Sequence, residues 1–125
     1  MRVVDASVVV NLLAGSLSPE ALGDEELAVP HLIDSEVTSV LRRLVLHGVL
    51  SAEQGDAAFQ GFLDLALTRF AADGLRPRMW QLRHNVSAYD ATYVALAEAV
   101  GATALLTTDE KLAAAPGVTC PVVLL

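Results

Sequence analysis

The chain has 125 residues, a common size for one domain, and 54% of them are hydrophobic, with a mean hydropathy of +0.50, which excludes an intrinsically disordered chain. Polar or charged residues interrupt every hydrophobic run well before the roughly 18 apolar residues that a membrane-spanning helix needs. Fifteen acidic residues against eight basic ones give a net charge of −7. A polyanionic partner would therefore need a local positive charge, from a bound metal ion or from clustered arginines, to overcome the repulsion.

Short apolar strands alternate with helices along the first half of the chain. Apolar residues that recur every three or four positions identify the helices, and Gly15, Gly48 and a capping pair of Ser51 with Gln54 mark their boundaries. In chain order we predict a strand at residues 3–4, a helix over 6–14, a short helical piece at 18–20, a strand over 27–29, a helix over 31–47 and a helix from 51 to about 67.

The second half continues the alternation after an ambiguous segment. Residues 68–74 are compatible with a strand or a loop. The elements predicted beyond it are a helix over 77–84, a helix over 88–100, a strand over 103–106, a turn at 107–109 that leads into a short helix, and a last strand over 122–125. Residues 1–125 are therefore expected to form a single α/β domain with a central, mostly parallel β-sheet flanked by α-helices.

Four acidic residues stand directly after predicted strands or in the first turns of predicted helices: Asp5, Glu36, Asp90 and Asp109. In open parallel sheets, ligands bind beyond the carboxyl ends of the strands, which is where such residues meet. Taken singly, each acid has a structural explanation, because a carboxylate near a helix N-terminus caps free amides and interacts favourably with the helix dipole. Their positions on the helices argue for more than capping.

Two of these acids point toward apolar surroundings. Asp90 shares a helix face with Tyr93, Val94 and Ala97, and Glu36 lies at the edge of the apolar stripe of its helix. An ionised carboxylate near a core needs a partner, since burial without one is costly or shifts its pKa until it is neutral. No basic residue stands where it would enter this cluster, so the sequence predicts a bound cation.

The expected cation is Mg²⁺ or Mn²⁺, because both take oxygen ligands and keep several water molecules. Zinc is not expected, since the three histidines and the single cysteine show no zinc-ligand spacing. An acid-only metal site in a small α/β domain indicates chemistry on phosphate, in which the ion lowers the pKa of a bound water and orients it for attack on phosphorus.

Four stretches around these acids resemble the motifs of one known family, the PIN-domain ribonucleases, and within it the VapC-type toxins of prokaryotic toxin–antitoxin pairs. The stretches are Val3-Val4-Asp5-Ala6-Ser7, the segment from Glu36 to Arg43, the segment from Tyr89 to Ala97, and the segment from Leu106 to Leu112. Their order and spacing extend the resemblance over essentially the whole chain, although the middle from about residue 51 to 84 carries no motif.

The resemblance implies a single PIN domain and a Mg²⁺- or Mn²⁺-dependent endoribonuclease. Asp5, Glu36, Asp90 and Asp109 are carried over as the catalytic acids. Asp5 and Asp90 are expected to bind the metal most directly and Asp109 to bind it or to orient a water, while Glu36 helps to activate the nucleophile or holds a second ion.

Further roles follow from the same resemblance. The hydroxyls of Ser7 and Thr107 are expected to position a carboxylate or a water, and Asn11, one helical turn beyond Ser7, is a candidate to reach the same pocket. The resemblance also implies an RNA substrate, a homodimer and a cognate antitoxin protein that masks the site. No membrane partner is expected, and because no secretory signal is visible we expect a cytoplasmic protein.

Arginines are the candidates for contacts with RNA phosphates, which fix the strand in place without reading its sequence. Arg42 and Arg43 are the first choice, and the remaining candidates are Arg69, Arg76, Arg78 and Arg83. Trp80 is expected in the core or in a dimer interface rather than as a stacking platform for bases, because only 5% of the residues are aromatic.

Two other functions remain open from the sequence. A phosphatase-type phosphoryl-transfer enzyme also places acids at strand ends, but Asp5 is not followed by a second Asp two residues on. A non-catalytic regulatory module would use the acidic groove to hold a basic partner peptide. In that case, removing Asp90 weakens partner binding while metal has no effect.

Overall fold

The computed structural model describes residues 1–125 and contains five strands and six α-helices. Their bounds in chain order are β1 Arg2–Val4, α1 Ala6–Leu13, β2 Leu27–Pro30, α2 Leu32–Leu46, α3 Ala52–Asp64, β3 Thr68–Phe70, α4 Arg76–Gln81, α5 Ala88–Ala99, β4 Ala104–Thr107, α6 Glu110–Ala113 and β5 Val122–Leu124. Short 3-10 helices lie at Pro19–Leu22 and Asp73–Leu75. None of the helices combines the length and the apolar character that crossing a membrane requires.

The five strands form one sheet in the order β3-β2-β1-β4-β5, and every neighbouring pair is parallel. The predicted fold class is confirmed, and the sheet is entirely rather than mostly parallel. Val3 pairs with Leu105 and Val4 with Leu106, so β1 and β4 end side by side. The ambiguous segment after residue 67 contributes the edge strand β3.

The strand order reverses between β1 and β4. The chain passes from β1 through β2 to β3 on one side, then crosses back to β4 and β5 on the other. Because such crossovers are right-handed, the helices of the two halves cover opposite faces of the sheet. The gap between the carboxyl ends of β1 and β4 is the topological switch point, where ligands bind in open α/β sheets.

The core explains why α5 carries so few polar residues. A cluster of 25 buried hydrophobic residues joins the sheet to the helices, and in α5 every residue from Ala91 to Ala97 is buried. This helix packs against β1, β2 and β4 on one side and against α4 on the other. Asp90 opens it and is therefore held at the rim of the core.

Two helix ends differ from the prediction. Helix α3 ends at Asp64 rather than near residue 67, because Leu65 adopts an extended backbone (φ −72°, ψ 127°) and leads the chain into β3. Helix α4 ends at Gln81 rather than at residue 84, since the amides of Asn85 and Val86 both donate to the Leu82 carbonyl and turn the chain toward α5.

Candidate active site

Asp5 lies at the switch point and is fixed on both carboxylate oxygens. Its side chain is 6% exposed. Oδ1 accepts hydrogen bonds from the Ser7 hydroxyl at 2.5 Å and from the Val8 amide at 3.1 Å, the second of which caps α1. Oδ2 accepts the Thr107 hydroxyl at 2.5 Å. The carboxylate is thus held by neutral donors from two strand ends, and its charge is not neutralised.

The two hydroxyls that hold Asp5 also order the loop after β4. The Thr107 hydroxyl accepts a hydrogen bond from the Asp109 amide at 3.0 Å, and the Ser7 hydroxyl accepts one from the Thr108 amide at 3.1 Å. Each hydroxyl donates to Asp5 and accepts from the loop, so its two hydrogen bonds point in defined directions. Ser7 and Thr107 therefore stand where the sequence predicted positioning hydroxyls.

Asp109 and Asn11 do not bind the Asp5 carboxylate, and their side chains form hydrogen bonds with backbone groups instead. Asp109 is the N-cap of α6, and its Oδ1 accepts the Lys111 amide at 2.9 Å. Asn11 donates its side-chain amide to the backbone carbonyl of Ser7 at 2.8 Å. It braces helix α1 at Ser7 and makes no hydrogen bond to an acidic side chain.

Glu36 forms a hydrogen bond that the sequence analysis missed. The Tyr93 hydroxyl, on a side chain only 1% exposed, donates to Glu36 Oε1 at 2.6 Å. Partial burial raises the pKa of the Glu36 carboxyl; the Tyr93 hydrogen bond acts in the opposite direction, and the charges of Asp90 and Asp5 raise the pKa further. Burial and Glu36 together raise the pKa of Tyr93, which keeps its hydroxyl protonated as a donor.

The carboxyl of Asp90, like that of Glu36, is repelled by neighbouring acidic side chains. Partial burial raises the pKa of its carboxyl, the charges of Asp109 and Asp5 add to the rise, and hydrogen bonding by Ser87 opposes it. The Ser87 hydroxyl accepts the Asp90 amide at 3.1 Å and caps α5. The charges of these carboxylates are thus coupled to one another across the switch point.

We expect Tyr93→Phe to destabilise the protein by about 1 kcal/mol at neutral pH, because a hydrogen bond to an ionised, half-buried carboxylate is lost. Without it, the pKa of Glu36 rises further. A raised carboxyl pKa in the folded state gives stability at low pH that is lost as the pH rises through that pKa. The loss relative to the wild type therefore grows from acid to neutral pH, which urea unfolding at several pH values measures.

Tyr89→Phe is the matched control, because Tyr89 is largely exposed and its hydroxyl forms no hydrogen bond within the chain. Its stability should follow the wild type at every pH. A Tyr93→Phe penalty that stays constant with pH would show that the hydroxyl does not interact with the titrating Glu36.

The residues at the switch point fit a hard divalent cation. All the atoms that these acids offer to a metal ion are oxygens. No basic side chain forms an ion pair with any of the four acids. No three Asp, Glu, His or Cys side chains are grouped closely enough to hold an ion by themselves. A Mg²⁺ or Mn²⁺ ion held there would therefore need water or a substrate phosphate among its ligands.

The arginines divide between two sides of the molecule. Arg43 lines a groove of about 340 Å³ together with Glu36 and Tyr89, beside the acids. Arg42 lines a separate groove between α2 and α3, which also contains Phe59. Adjacent residues on a helix point about 100° apart, and here this rotation separates them. The structure therefore places Arg43 at the site and does not bring Arg42 to it.

Other predicted residues are engaged elsewhere. Arg69 forms an ion pair with Asp34 at 2.7 Å, and Arg78 forms one with Glu98 at 2.7 Å. Trp80 is 68% exposed, so the expectation of a core position is wrong. Its helix α4 packs on α5 through other residues and leaves the indole outside.

Comparison with known proteins is consistent with this geometry. The family model described as PIN domain matches residues 2–118. Ribonuclease VapC9 of Mycobacterium tuberculosis is 46% identical to this chain over 123 residues, which cover 98% of this chain and 96% of VapC9. The chain belongs to the VapC family of PIN-domain proteins. The resemblance predicted from its four motifs is confirmed.

Solved structures of PIN-domain proteins share the fold at much lower identity. VapC20 of Mycobacterium tuberculosis, described as a sarcin-ricin loop cleaving toxin, superimposes with a TM-score of 0.67 at 17% identity, over 95% of this chain and 97% of VapC20. VapBC2 of Rickettsia felis, solved bound to a DNA fragment from its promoter, gives 0.65 at 14% identity, over 98% of each chain. At these identities the likeness concerns the fold of this PIN domain.

Proposed function

We propose that this PIN domain is an endoribonuclease that hydrolyses RNA phosphodiester bonds with the help of Mg²⁺ or Mn²⁺, and that it is the toxin of a toxin–antitoxin pair. The observation that carries the proposal is the mutual charge repulsion around the switch point, where Glu36 is repelled by Asp90 and Asp5, and Asp90 by Asp109 and Asp5, while no basic side chain forms an ion pair with any of them. The 46% identity to a protein named ribonuclease supports the choice of RNA as substrate.

The proposed role of each acidic side chain follows from its contacts in the structure. Asp5, Asp90 and Asp109 would hold the ion, with water and the substrate phosphate as its other ligands. When bound, the ion would polarise the attacking water and stabilise negative charge on the phosphate. Glu36, with its raised pKa and its fixed hydrogen bond from Tyr93, is suited to accept the proton that the water loses on attacking phosphorus.

The same proposal assigns a partner that controls the enzyme. VapBC2 of Rickettsia felis is a fold neighbour solved on its own promoter DNA. By analogy, we propose that a cognate antitoxin protein binds this chain and blocks its site. A homodimer and a cytoplasmic location remain predictions, and light scattering of the purified protein tests the first.

The test uses the purified chain freed of any bound partner. An end-labelled RNA and a DNA of the same sequence are incubated with it in Mg²⁺ or Mn²⁺ and in EDTA. The proposal expects internal cleavage of the RNA with metal, little cleavage of the DNA, and none of either in EDTA. Activity confined to phosphate monoesters would overturn the assignment in favour of a phosphatase.

We expect Thr107→Val to lower RNA cleavage by about 10- to 100-fold, in the range found when partners of metal-binding side chains are removed. The buried hydroxyl bonds both Asp5 Oδ2 and the backbone amide of Asp109, so its loss frees the Asp5 carboxylate and loosens the loop that carries Asp109. Leaving the partly buried Asp109 amide without its partner should also cost about 1 kcal/mol of unfolding free energy.

Thr107→Ser is the matched control, because it keeps the hydroxyl and removes only a methyl group. It should retain most of the activity. Equal rates for the Val and Ser variants would show that the hydroxyl does not position the acids.

A further inference from the structure

The single tryptophan of the chain lies on the surface. Trp80 stands on α4 and is 68% exposed. Burying an indole is a large source of stability in most folds, and a solvent-facing one is more often found at binding surfaces. Its position therefore needs an explanation that folding alone does not supply.

Arginines surround this indole. The Arg83 guanidinium lies 4.6 Å from the centre of the Trp80 ring, and it is anchored by a hydrogen bond of 2.9 Å to the Trp80 carbonyl. Arg76 lines the same groove and donates to the Asp73 carbonyl at 2.9 Å. Neither arginine forms an ion pair with a carboxylate, so both retain a full positive charge for an external anion.

The groove that holds these side chains has a volume of about 410 Å³ and contains no acid. Its lining consists of Arg76, Met79, Trp80, Arg83, Val86, Ser87 and Ala88. The whole protein carries a net charge of −7, yet two cationic side chains meet here without a neutralising partner. This is the local reversal of sign that a polyanion needs in order to approach an acidic protein.

The N-terminal end of α5 contributes residues to this groove and to the groove beside the acids. Ser87 and Ala88 line it, and the next residue, Tyr89, lines the groove that contains Glu36 and Arg43. Asp90 follows directly. The two grooves therefore share the N-terminal end of α5.

We propose that Trp80 stacks an unpaired base of the RNA substrate while Arg76 and Arg83 contact the phosphates on either side of it. The groove thereby positions RNA that is cut at the switch point, and this assignment rests on the proposed ribonuclease function. Aromatic rings and guanidinium planes are the usual stacking partners of bases in single-stranded RNA. An acidic or apolar peptide and a second copy of this chain are the competing occupants.

The tryptophan itself reports the contact, because it is the only one in the chain. A single-stranded oligoribonucleotide of about ten nucleotides, the length of strand one such site can span, is titrated into the Asp90→Asn variant in EDTA, which keeps Trp80 and should cut the strand too slowly to disturb the titration. Stacking predicts saturable quenching of Trp80 fluorescence. Added salt should weaken it, and Arg83→Gln should lower the slope of log affinity against log salt by about 0.7 for the phosphate contact that it removes.

Steady-state cleavage gives the second readout. Trp80→Ala should raise KM by about 5- to 150-fold, the effect expected for one lost base–aromatic stack, and leave kcat within about twofold of the wild type. Trp80→Phe should recover most of the lost affinity because it restores an aromatic face. Leu63→Ala is the control, since Leu63 is an apolar side chain with 63% exposure that lies on α3.

The outcomes separate this inference from the proposed function. Normal cleavage with an unchanged KM in Trp80→Ala would overturn the stacking role and leave the ribonuclease standing. Quenching by RNA without any cleavage by the wild type would support RNA binding at the groove and overturn the proposed nuclease activity. A change of oligomeric state in Trp80→Ala without a change in RNA affinity would assign the indole to a contact between copies and overturn the proposal.

Discussion

Asp90→Asn is expected to reduce RNA cleavage by about 10²- to 10⁴-fold, the contribution typical of a catalytic carboxylate. At the same time, the free energy of unfolding at pH 7 should stay within about 1 kcal/mol of the wild type, since the half-buried charge is screened by solvent. Burial and the charges of Asp109 and Asp5 raise the pKa of Asp90, so its ionisation disfavours the folded state. Loss of activity without loss of stability distinguishes a functional acid from a structural one.

The pH dependence of this variant has a defined sign. A carboxyl whose pKa is raised on folding contributes stability at low pH, and that contribution is lost as the pH rises through the folded pKa. Because the amide does not titrate, the stability of Asp90→Asn relative to the wild type should increase from acid to neutral pH. Urea unfolding at both ends of this range measures it.

Asp56→Asn is the matched control, because Asp56 is an exposed acid on α3 away from the switch point. Its cleavage rate should equal that of the wild type. A cleavage rate for Asp90→Asn that matches Asp56→Asn would exclude Asp90 from the reaction.

Removal of divalent metal is expected to reduce cleavage by at least about 10³-fold, since metal assistance is worth several kcal/mol and each 1.36 kcal/mol is a factor of ten. Adding back Mg²⁺ or Mn²⁺ should restore the rate. The physical reason is that the acids repel one another without a basic partner, and the pKa values of Glu36 and Asp90 are raised.

Thermal unfolding provides a readout of metal binding that does not depend on activity. An ion that binds only the folded state adds about 2.7 kcal/mol of stability at 100 times its Kd. MgCl₂ should therefore raise the Tm of the wild type and have a much smaller effect on Asp5→Asn. Full cleavage in EDTA, or an equal rise of Tm in both proteins, would contradict metal binding at Asp5.

The sequence allowed the position of the acids to be predicted because few physical rules decide it. Parallel strands end on one edge of the sheet, so an acid after β1 and an acid after β4 are neighbours once both strands are recognised. The inward placement of Asp90 followed from helical spacing, although in the structure α5 is buried on nearly every side. Strong apolar strands and capped helices made these elements recognisable.

The contacts of the site could not be predicted in the same way. Tyr93 and Glu36 are 57 residues apart, and their hydrogen bond depends on how α5 and α2 meet across the sheet. A buried tyrosine hydroxyl needs a partner, which was the available signal, but the sequence does not say which one. Trp80 does not lie in the core, one of the two positions predicted for it, because composition cannot tell which face of α4 packs on α5; a dimer interface stays a prediction.

Cleavage of one labelled RNA by the wild type, Asp5→Asn, Asp90→Asn and the double variant tests most directly whether the carboxylates act as one ribonuclease site. Residues that act as a unit are strongly non-additive, so the double variant should lose little more activity than the worse single variant. Losses that multiply in the double variant, or a wild-type rate equal to that of the double variant, would contradict the account.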